Sequence, residues 1–264
     1  MSDPIHLAIH GAAGRMGQKI LTILAGEPSP RWRITGLIDH PEHPQQGQRF
    51  APELPPLTAT LPAQVPIDVI VDFSHPAALC ATLPELVARR IALVSGTTGF
   101  DDGQRALLHD AAQHIPLLLA ANMSMGINLL MELVRMASAA LGPTWDAEIV
   151  EVHHRLKRDA PSGTALLLAQ ALADGRAPDA APLCLGRAGA EALRHNDEIG
   201  LHALRGGDVV GEHTVYFFGH SERVEISHRA TDRAIFAHGA LRSAQWIHRR
   251  APGRYTMQDV IRDA

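Results

Sequence analysis

The chain has 264 residues, a formal net charge of −4, 46% hydrophobic and 4% aromatic residues, and two cysteines. A chain of this length buries about three-quarters of its unfolded surface without staples, and slight acidity excludes a general nucleic-acid binder, which needs a basic face. Cys80 and Cys184 lie far apart in apolar surroundings, so no disulfide framework is expected and a reducing cytoplasm fits.

Residues 5–10 (IHLAIH) read as a buried strand, entered with no basic segment and apolar core of a secretory leader before it. Gly11 begins a glycine-rich turn, and Gly17 to Ala25 carry helical periodicity. Residues 33–39 (RITGLID) form a second strand, ending in Asp39. The Pro- and Gln-rich stretch from Pro41 to Pro66 reads as a long surface loop with at most a short strand. Three further apolar strands follow, at 67–73, 91–95 and 116–121, separated by helices ending near Arg90 and His114. Apolar strands alternating with helices predict a parallel sheet covered on both faces.

The pattern changes after Asn122. A helix from Ser124 to Leu141 precedes longer strands of mixed polarity: DAEIVEVHH, EIGLHALRG, GEHTVYFFG and ERVEISHRA. The last two flank Gly219-His220-Ser221 as an antiparallel hairpin. A helix over 232–248 and a short C-terminal one close the chain. The fold class is α/β: a parallel-sheet domain at 1–123, then an α+β domain at 124–231 on a mostly antiparallel sheet, with residues 232–264 packing back on the first. No window reaches about 18 uninterrupted apolar residues, so no membrane span is expected.

Gly11-Ala12-Ala13-Gly14-Arg15-Met16-Gly17 joins the first strand to the first helix. A glycine turn at a helix N-terminus admits a pyrophosphate to backbone N–H groups and to the positive end of the helix dipole. Asp39 closes the second strand about 20 residues on, where a carboxylate accepts from an adenosine ribose; its alternative is an ordinary loop residue. A carboxylate there repels a 2′-phosphate, which Arg15 and His40 partly offset. Both NADH and NADPH are therefore expected to serve, NADH at least as well. The turns Gly96-Thr97-Thr98-Gly99 and Ala120-Ala121-Asn122 lie at the carboxyl ends of their strands, where open α/β sheets bind ligands. Thr97, Thr98 and Asn122 are equally suited to be turn or cap residues.

The densest chemistry is EVHHRLKRDAPSGTA, residues 151–165. A strand ends in His153 and His154, and a loop carries Lys157. Ser162 suits an N-cap. Gly163 and Thr164 open a helix whose N–H groups can hold a carboxylate. Histidine and lysine are both proton-transfer groups. Of 24 basic residues only Lys19 and Lys157 are lysine. The paired histidines lack a third ligand at a standard spacing, so no metal is expected.

GAAGRMG, DFSHP, GTTGF, AANMSMGIN, EVHHRLKRDAPSGTA and GDVVGEHTV occur in that order. Together they resemble the 4-hydroxy-tetrahydrodipicolinate reductase (dihydrodipicolinate reductase) family, over most of the chain except 41–66 and 174–197. The resemblance implies an NAD(P)-binding Rossmann-type domain and a second domain that binds a dicarboxylate substrate and builds a homotetramer. It implies reduction of a cyclic imine dicarboxylate with loss of water, in diaminopimelate and lysine biosynthesis. It assigns His153 as proton donor/acceptor, Lys157 as proton donor, and His154, Gly163 and Thr164 as substrate binders. Gly11, Ala12, Ala13, Gly14, Arg15, Met16, Asp39, Gly96, Thr97, Thr98, Ala120, Ala121, Asn122 and Met123 fall at the cofactor site. Many members place a basic residue after the acidic one; here it is His40, which argues against strong NADPH preference. The rivals are another two-domain dehydrogenase of the aspartate-semialdehyde or homoserine type, a dinucleotide-sensing regulator, and a structural metal protein. Against the first, neither cysteine lies in a motif; against the second, no basic patch or DNA-binding helix pair is visible.

Overall fold

The computed structural model describes residues 3–26, 29–176 and 182–263. The chain forms two compact units, Met1–Ser124 with Ala234–Ala264, and Met125–Arg233.

The first unit opens with β1 (Ile5–His10), α1 (Arg15–Gly26) and β2 (Trp32–Ile38). Leu7, Ala8 and Ile9 are all fully buried, as expected of a strand covered on both faces. The Pro-rich stretch holds one short strand, β3 (Leu57–Thr58). Then come β4 (Val69–Asp72), α2 (Pro76–Arg89), β5 (Ala92–Ser95), α3 (Asp102–Ala111) and β6 (Pro116–Leu119). Pro76 opens α2, where its missing N–H costs nothing, and the Nδ1 of His75 accepts from the Ala77 N–H. α3 starts on a capping box formed by Asp101 and Gln104.

The second unit begins with α4 (Met125–Leu141) and β7 (Asp146–His153), then α5 (Gly163–Arg176) and a two-residue β8 (Leu183–Cys184). Residues 177–181, within the stretch of weak resemblance, lie outside the described residues. β9 (Ile199–Arg205), β10 (Gly211–Phe218) and β11 (Arg223–Ala230) complete the sheet. Its order is β11-β10-β7-β9-β8. The hairpin β10–β11 and the pair β10–β7 are antiparallel, whereas β9 runs parallel to β7 and β8 parallel to β9. The expected antiparallel character holds on one side only, so the sheet is mixed. A parallel neighbour needs a long connection, and the segment from α5 to β9 supplies it.

α6 (Ala234–Ile247), β12 (Gly253–Tyr255) and α7 (Met257–Arg262) belong to the first unit. β12 pairs parallel with β6, giving a seven-stranded parallel sheet of order β12-β6-β5-β4-β1-β2-β3. Neither β8 nor β12 contains an apolar run that sequence periodicity could detect.

Each unit has its own core. Ile70, Leu79, Leu86, Leu93 and Leu117 center the first, and Val134, Ile149, Leu168, Val215 and Phe217 the second. In the second unit β7 alternates strictly, with Ala147, Ile149, Glu151 and His153 on the buried face. β10 does the same with Gly211, His213, Val215 and Phe217. Register sets Phe217 beside Ala147, Val215 beside Ile149 and His213 beside Glu151. The stripe that is apolar at one end of the core becomes ionisable at the other, and the candidate site begins there.

Candidate active site

The period-2 alternation that builds the core leaves Glu151 fully buried and His153 8% exposed. His153 Nδ1 meets Glu151 Oε2 in a short hydrogen bond. The same carboxylate accepts from both terminal nitrogens of Arg205, at 2.9 and 2.8 Å, and from the Ser162 N–H at 3.0 Å. Burial alone would raise the Glu151 pKa, but these donors, Arg205 first, hold it below the ordinary range. Burial pushes His153 down, against the pull of Glu151. The ring of His213 stands edge-on to His153, with centroids 5.2 Å apart. Its Nε2 lies 3.2 Å from Ser162 Oγ. Burial, with His153 adding to it, brings His213 down to about 4, so it is neutral at physiological pH.

Ser162 also caps α5, its hydroxyl accepting from the Ala165 N–H at 3.2 Å. Gly163 follows in open space, where an added Cβ would meet nothing within 4 Å. The opening of α5 is therefore accessible to an anion. Thr164 sits next to it, half-buried. In the preceding loop Lys157 Nζ donates to both oxygens of Asp159, at 2.9 and 2.8 Å. This ion pair, chiefly through the Lys157 hydrogen bonds, holds Asp159 below its usual pKa. Arg205 ties the loop down by donating to the Asp159 carbonyl at 2.7 Å. His154 donates its backbone N–H to Val209 O, and its ring nitrogen Nε2 stands 3.4 Å from Arg233.

In the first unit the glycine turn is spent differently from its motif reading. The N–H groups of Gly11 and Ala12 both donate to Ile38 O, and that of Gly14 to Gly11 O. Ala13 donates to Asp39 Oδ2 at 2.9 Å. The donors left for an anion are those of the first turn of α1, at Arg15 and Met16, where a helix has no internal acceptors. Gly11 has φ +78°, and a Cβ there would fall 2.5 Å from Phe73 O. Gly11, Gly14, Asp39 and His40 line a groove of about 480 Å³ with His10 and Ser74. The site fits a dinucleotide: an open groove, a helix start with free donors, and a carboxylate at the edge of β2.

Gly96, Thr97, Thr98 and Ala120–Met123 do not line that groove; they sit at the ends of β5 and β6. Gly96 faces the Phe73 ring, which a Cβ would strike at 2.2 Å. The Thr97 hydroxyl donates inward to Asp72 at 2.7 Å, while Thr98 is exposed. Asn122 Oδ1 accepts from the Ser124 N–H, Met123 is buried, and Ala121 is exposed. Asp72 itself is buried and accepts from Ser74, Ser95 and Thr97, with His10 Nδ1 at 3.0 Å. Despite burial, His10 and these hydroxyls hold its pKa down. Cys80 and Cys184 are free thiols, and the described residues include no cluster placed to hold a metal ion. No described helix is long and apolar enough to cross a membrane.

Residues 5–123 match the family described as dihydrodipicolinate reductase, N-terminus, and residues 126–261 match its C-terminus. The chain belongs to the dihydrodipicolinate reductase family. Curated relatives named 4-hydroxy-tetrahydrodipicolinate reductase include one from Syntrophotalea carbinolica, 40% identical over 97% of this chain and 98% of its own. Another, from Rubrobacter xylanophilus, is 43% identical with the same coverages. Among solved structures, the fold is shared with a dipicolinate-bound dihydrodipicolinate reductase from Paenisporosarcina sp. TG-14. There the TM-score is 0.76, with 24% identity over 96% of this chain and 97% of that one. A dihydrodipicolinate reductase reading of motifs alone finds His153 and Lys157 but passes over Glu151, Arg205, His213, His10 and Asp72. Glu151 had a signal, its spacing of two from His153 on one strand face; Arg205 had none, being brought in by strand pairing with β7.

Proposed function

We propose that this protein is a 4-hydroxy-tetrahydrodipicolinate reductase. It reduces (2S,4S)-4-hydroxy-2,3,4,5-tetrahydrodipicolinate to tetrahydrodipicolinate with NADH or NADPH, releasing water, in the diaminopimelate route to lysine. The observation that carries this reading is the convergence of a buried, carboxylate-oriented His153 with Lys157 and an open helix start. That set matches a substrate with two carboxylates and one proton to receive. Family membership over nearly the whole chain supports the same reading.

The nicotinamide supplies the hydride when bound. The first-turn amides of α1, the backbone of Gly11 and Gly14, and Asp39 would hold the dinucleotide, with Gly96–Thr98 and Ala120–Met123 at the neighbouring strand ends. Asp39 uses each carboxylate oxygen once, for Ala13 and for His40 N–H, which leaves lone pairs for a ribose and no welcome for a 2′-phosphate. NADH is therefore at least as good as NADPH.

Every proton and every contact to the dicarboxylate come from the second unit. The N–H groups of Gly163 and Thr164 take one carboxylate, and His154 adds a polar contact. Net reduction consumes one hydride and one proton and releases the 4-hydroxyl as water. His153 Nε2 or Lys157 Nζ delivers the proton. Lys157 also places a fixed positive charge beside a dianion. A cytoplasmic homotetramer completes the proposal.

The test couples the protein to a synthase that forms the substrate from pyruvate and aspartate semialdehyde. Substrate-dependent loss of NADH or NADPH absorbance is expected. Oxidation of neither cofactor overturns the assignment, and a strong preference for NADPH in kcat/KM overturns the role given to Asp39. Sedimentation of the purified protein tests the tetramer.

A further inference from the structure

We propose that Glu151 and Arg205 are positioning residues: together they decide which nitrogen of His153 handles the proton and fasten that ring to the helix start that receives the substrate carboxylate. The inference rests on the reading of His153 as the proton donor and extends it to two residues that never touch substrate.

One buried carboxylate carries the whole arrangement. Its Oε2 receives His153 Nδ1 and Arg205 Nη1, and its Oε1 receives the Ser162 N–H and Arg205 Nη2. A carboxylate only accepts, so Nδ1 of His153 must carry a hydrogen. Nε2 is then the atom that binds and releases the working proton. The Nε2 side of the ring is kept clear by Gly211, where an added Cβ would lie 3.0 Å from Nε2. Ser162 is the cap of α5, and the Arg205 nitrogen that binds Oε1 also holds the Asp159 carbonyl. The acid, the substrate helix and the Lys157 loop thus share one anchor.

The charges facing His153 come from four elements. Burial opposes the imidazolium first of all, Glu151 on its own strand favours it, and Lys157 from the loop and Arg205 from β9 add to the opposition. His213 on β10 is neutral near pH 7, and Asp159 is paired with Lys157. Arg205, bonded twice to the same carboxylate, joins burial and Lys157 as a counterweight to Glu151, so that a histidine bound to a buried carboxylate can still give up its proton. Removing either partner should move the proton's release in opposite senses.

The experiment measures kcat/KM against pH for wild type, Glu151→Gln and Arg205→Gln, with ¹⁵N-histidine spectra of the free protein and His153→Asn to assign the signal. An acid catalyst loses activity as pH rises past its pKa. Glu151→Gln is expected to move that falling limb to lower pH by about one unit, and Arg205→Gln to move it higher. Glu151→Gln should also lower kcat/KM at neutral pH at least tenfold, on the order of a weakened general acid, while Arg205→Lys restores the wild-type limb. In the spectra, neutral His153 is expected to carry its hydrogen on Nδ1. Limbs that stay put or shift in the same direction overturn the proposal, as does a hydrogen on Nε2. The spectrum needs no turnover and only wild type and His153→Asn. It decides the point if a Glu151 or Arg205 variant fails to fold, and it separates failure here from failure of the reductase reading, which the wild-type assay reports.

Discussion

Lys157 is one of two lysines among 24 basic residues, and the proton delivery proposed for it is a role arginine cannot take over. Guanidinium stays protonated at any working pH, whereas an ammonium can release a proton. Lys157→Arg keeps the charge next to Asp159. Its turnover is expected to fall at least about 10²-fold with substrate KM within a few-fold, since a positioned acid contributes about 10²–10⁴. Wild-type turnover would assign Lys157 to electrostatics alone. His153→Ala should fall in the same range, with the circular dichroism spectrum unchanged. At Asp39 the expected outcome concerns selectivity. Asp39→Ala removes the charge that opposes a 2′-phosphate and frees the Ala13 N–H. The ratio of kcat/KM for NADPH over NADH should rise about tenfold or more, equivalent to about 1.4 kcal/mol; an unchanged ratio would remove Asp39 from the cofactor site.

Among the elements, the junction of β1 and α1 depends on backbone approaching backbone. A Cβ on Gly17 would lie 2.4 Å from Gly11 O and 2.6 Å from Ala12 Cα. No side chain can yield there, so Gly17→Ala must lift the first turn of α1 off the glycine turn. Overpacking of this kind costs about 2–3 kcal/mol. Thermal melts should show that loss, and fluorescence titration should show NADH binding weakened more than tenfold, because the displaced amides are those proposed to meet the pyrophosphate. Unchanged NADH affinity would place the dinucleotide elsewhere. In the second sheet, β7 and β10 show how one alternation serves both stability and chemistry. Ile149 and Val215 fill the core, and two positions away on each strand, toward the same end of the antiparallel pair, stand Glu151 and His213. A one-residue slip of either strand would turn its two residues to the other face of the sheet.

Acid stability is a property of the whole molecule, because both units bury groups whose pKa folding has lowered. His213 falls from 6.5 to about 4 through burial first and His153 second. Its neutral form belongs to the native state. The contribution is therefore complete above pH 6.5 and is lost as pH falls toward 4, to a limit of about 3 kcal/mol. His153 adds in the same direction. Asp72 and Glu151 are carboxylates held low by their donors; their contribution is present above the ordinary carboxylate range and disappears only at more acidic pH. Denaturant unfolding should show stability declining from pH 6.5 to 4, and His213→Gln should flatten that decline. An equal slope in the variant would mean that other histidines carry it.

The sequence by itself determined the two classes of element, the parallel sheet of the first unit, the glycine turn, and the segment from His153 to Thr164. Those signals are local: apolar runs, capping residues and short spacings persist in the chain whatever surrounds them. Tertiary structure alone decided the rest. The pairing of β9 with β7 brings Arg205 to a carboxylate 54 positions away. The return of β12 to β6 crosses the length of a whole unit. Asp39 takes the Ala13 N–H, which leaves the proposed anion site to the start of α1 rather than to the glycines. A buried polar group must find its partner wherever the fold offers one, and no motif read along the chain records which partner that is.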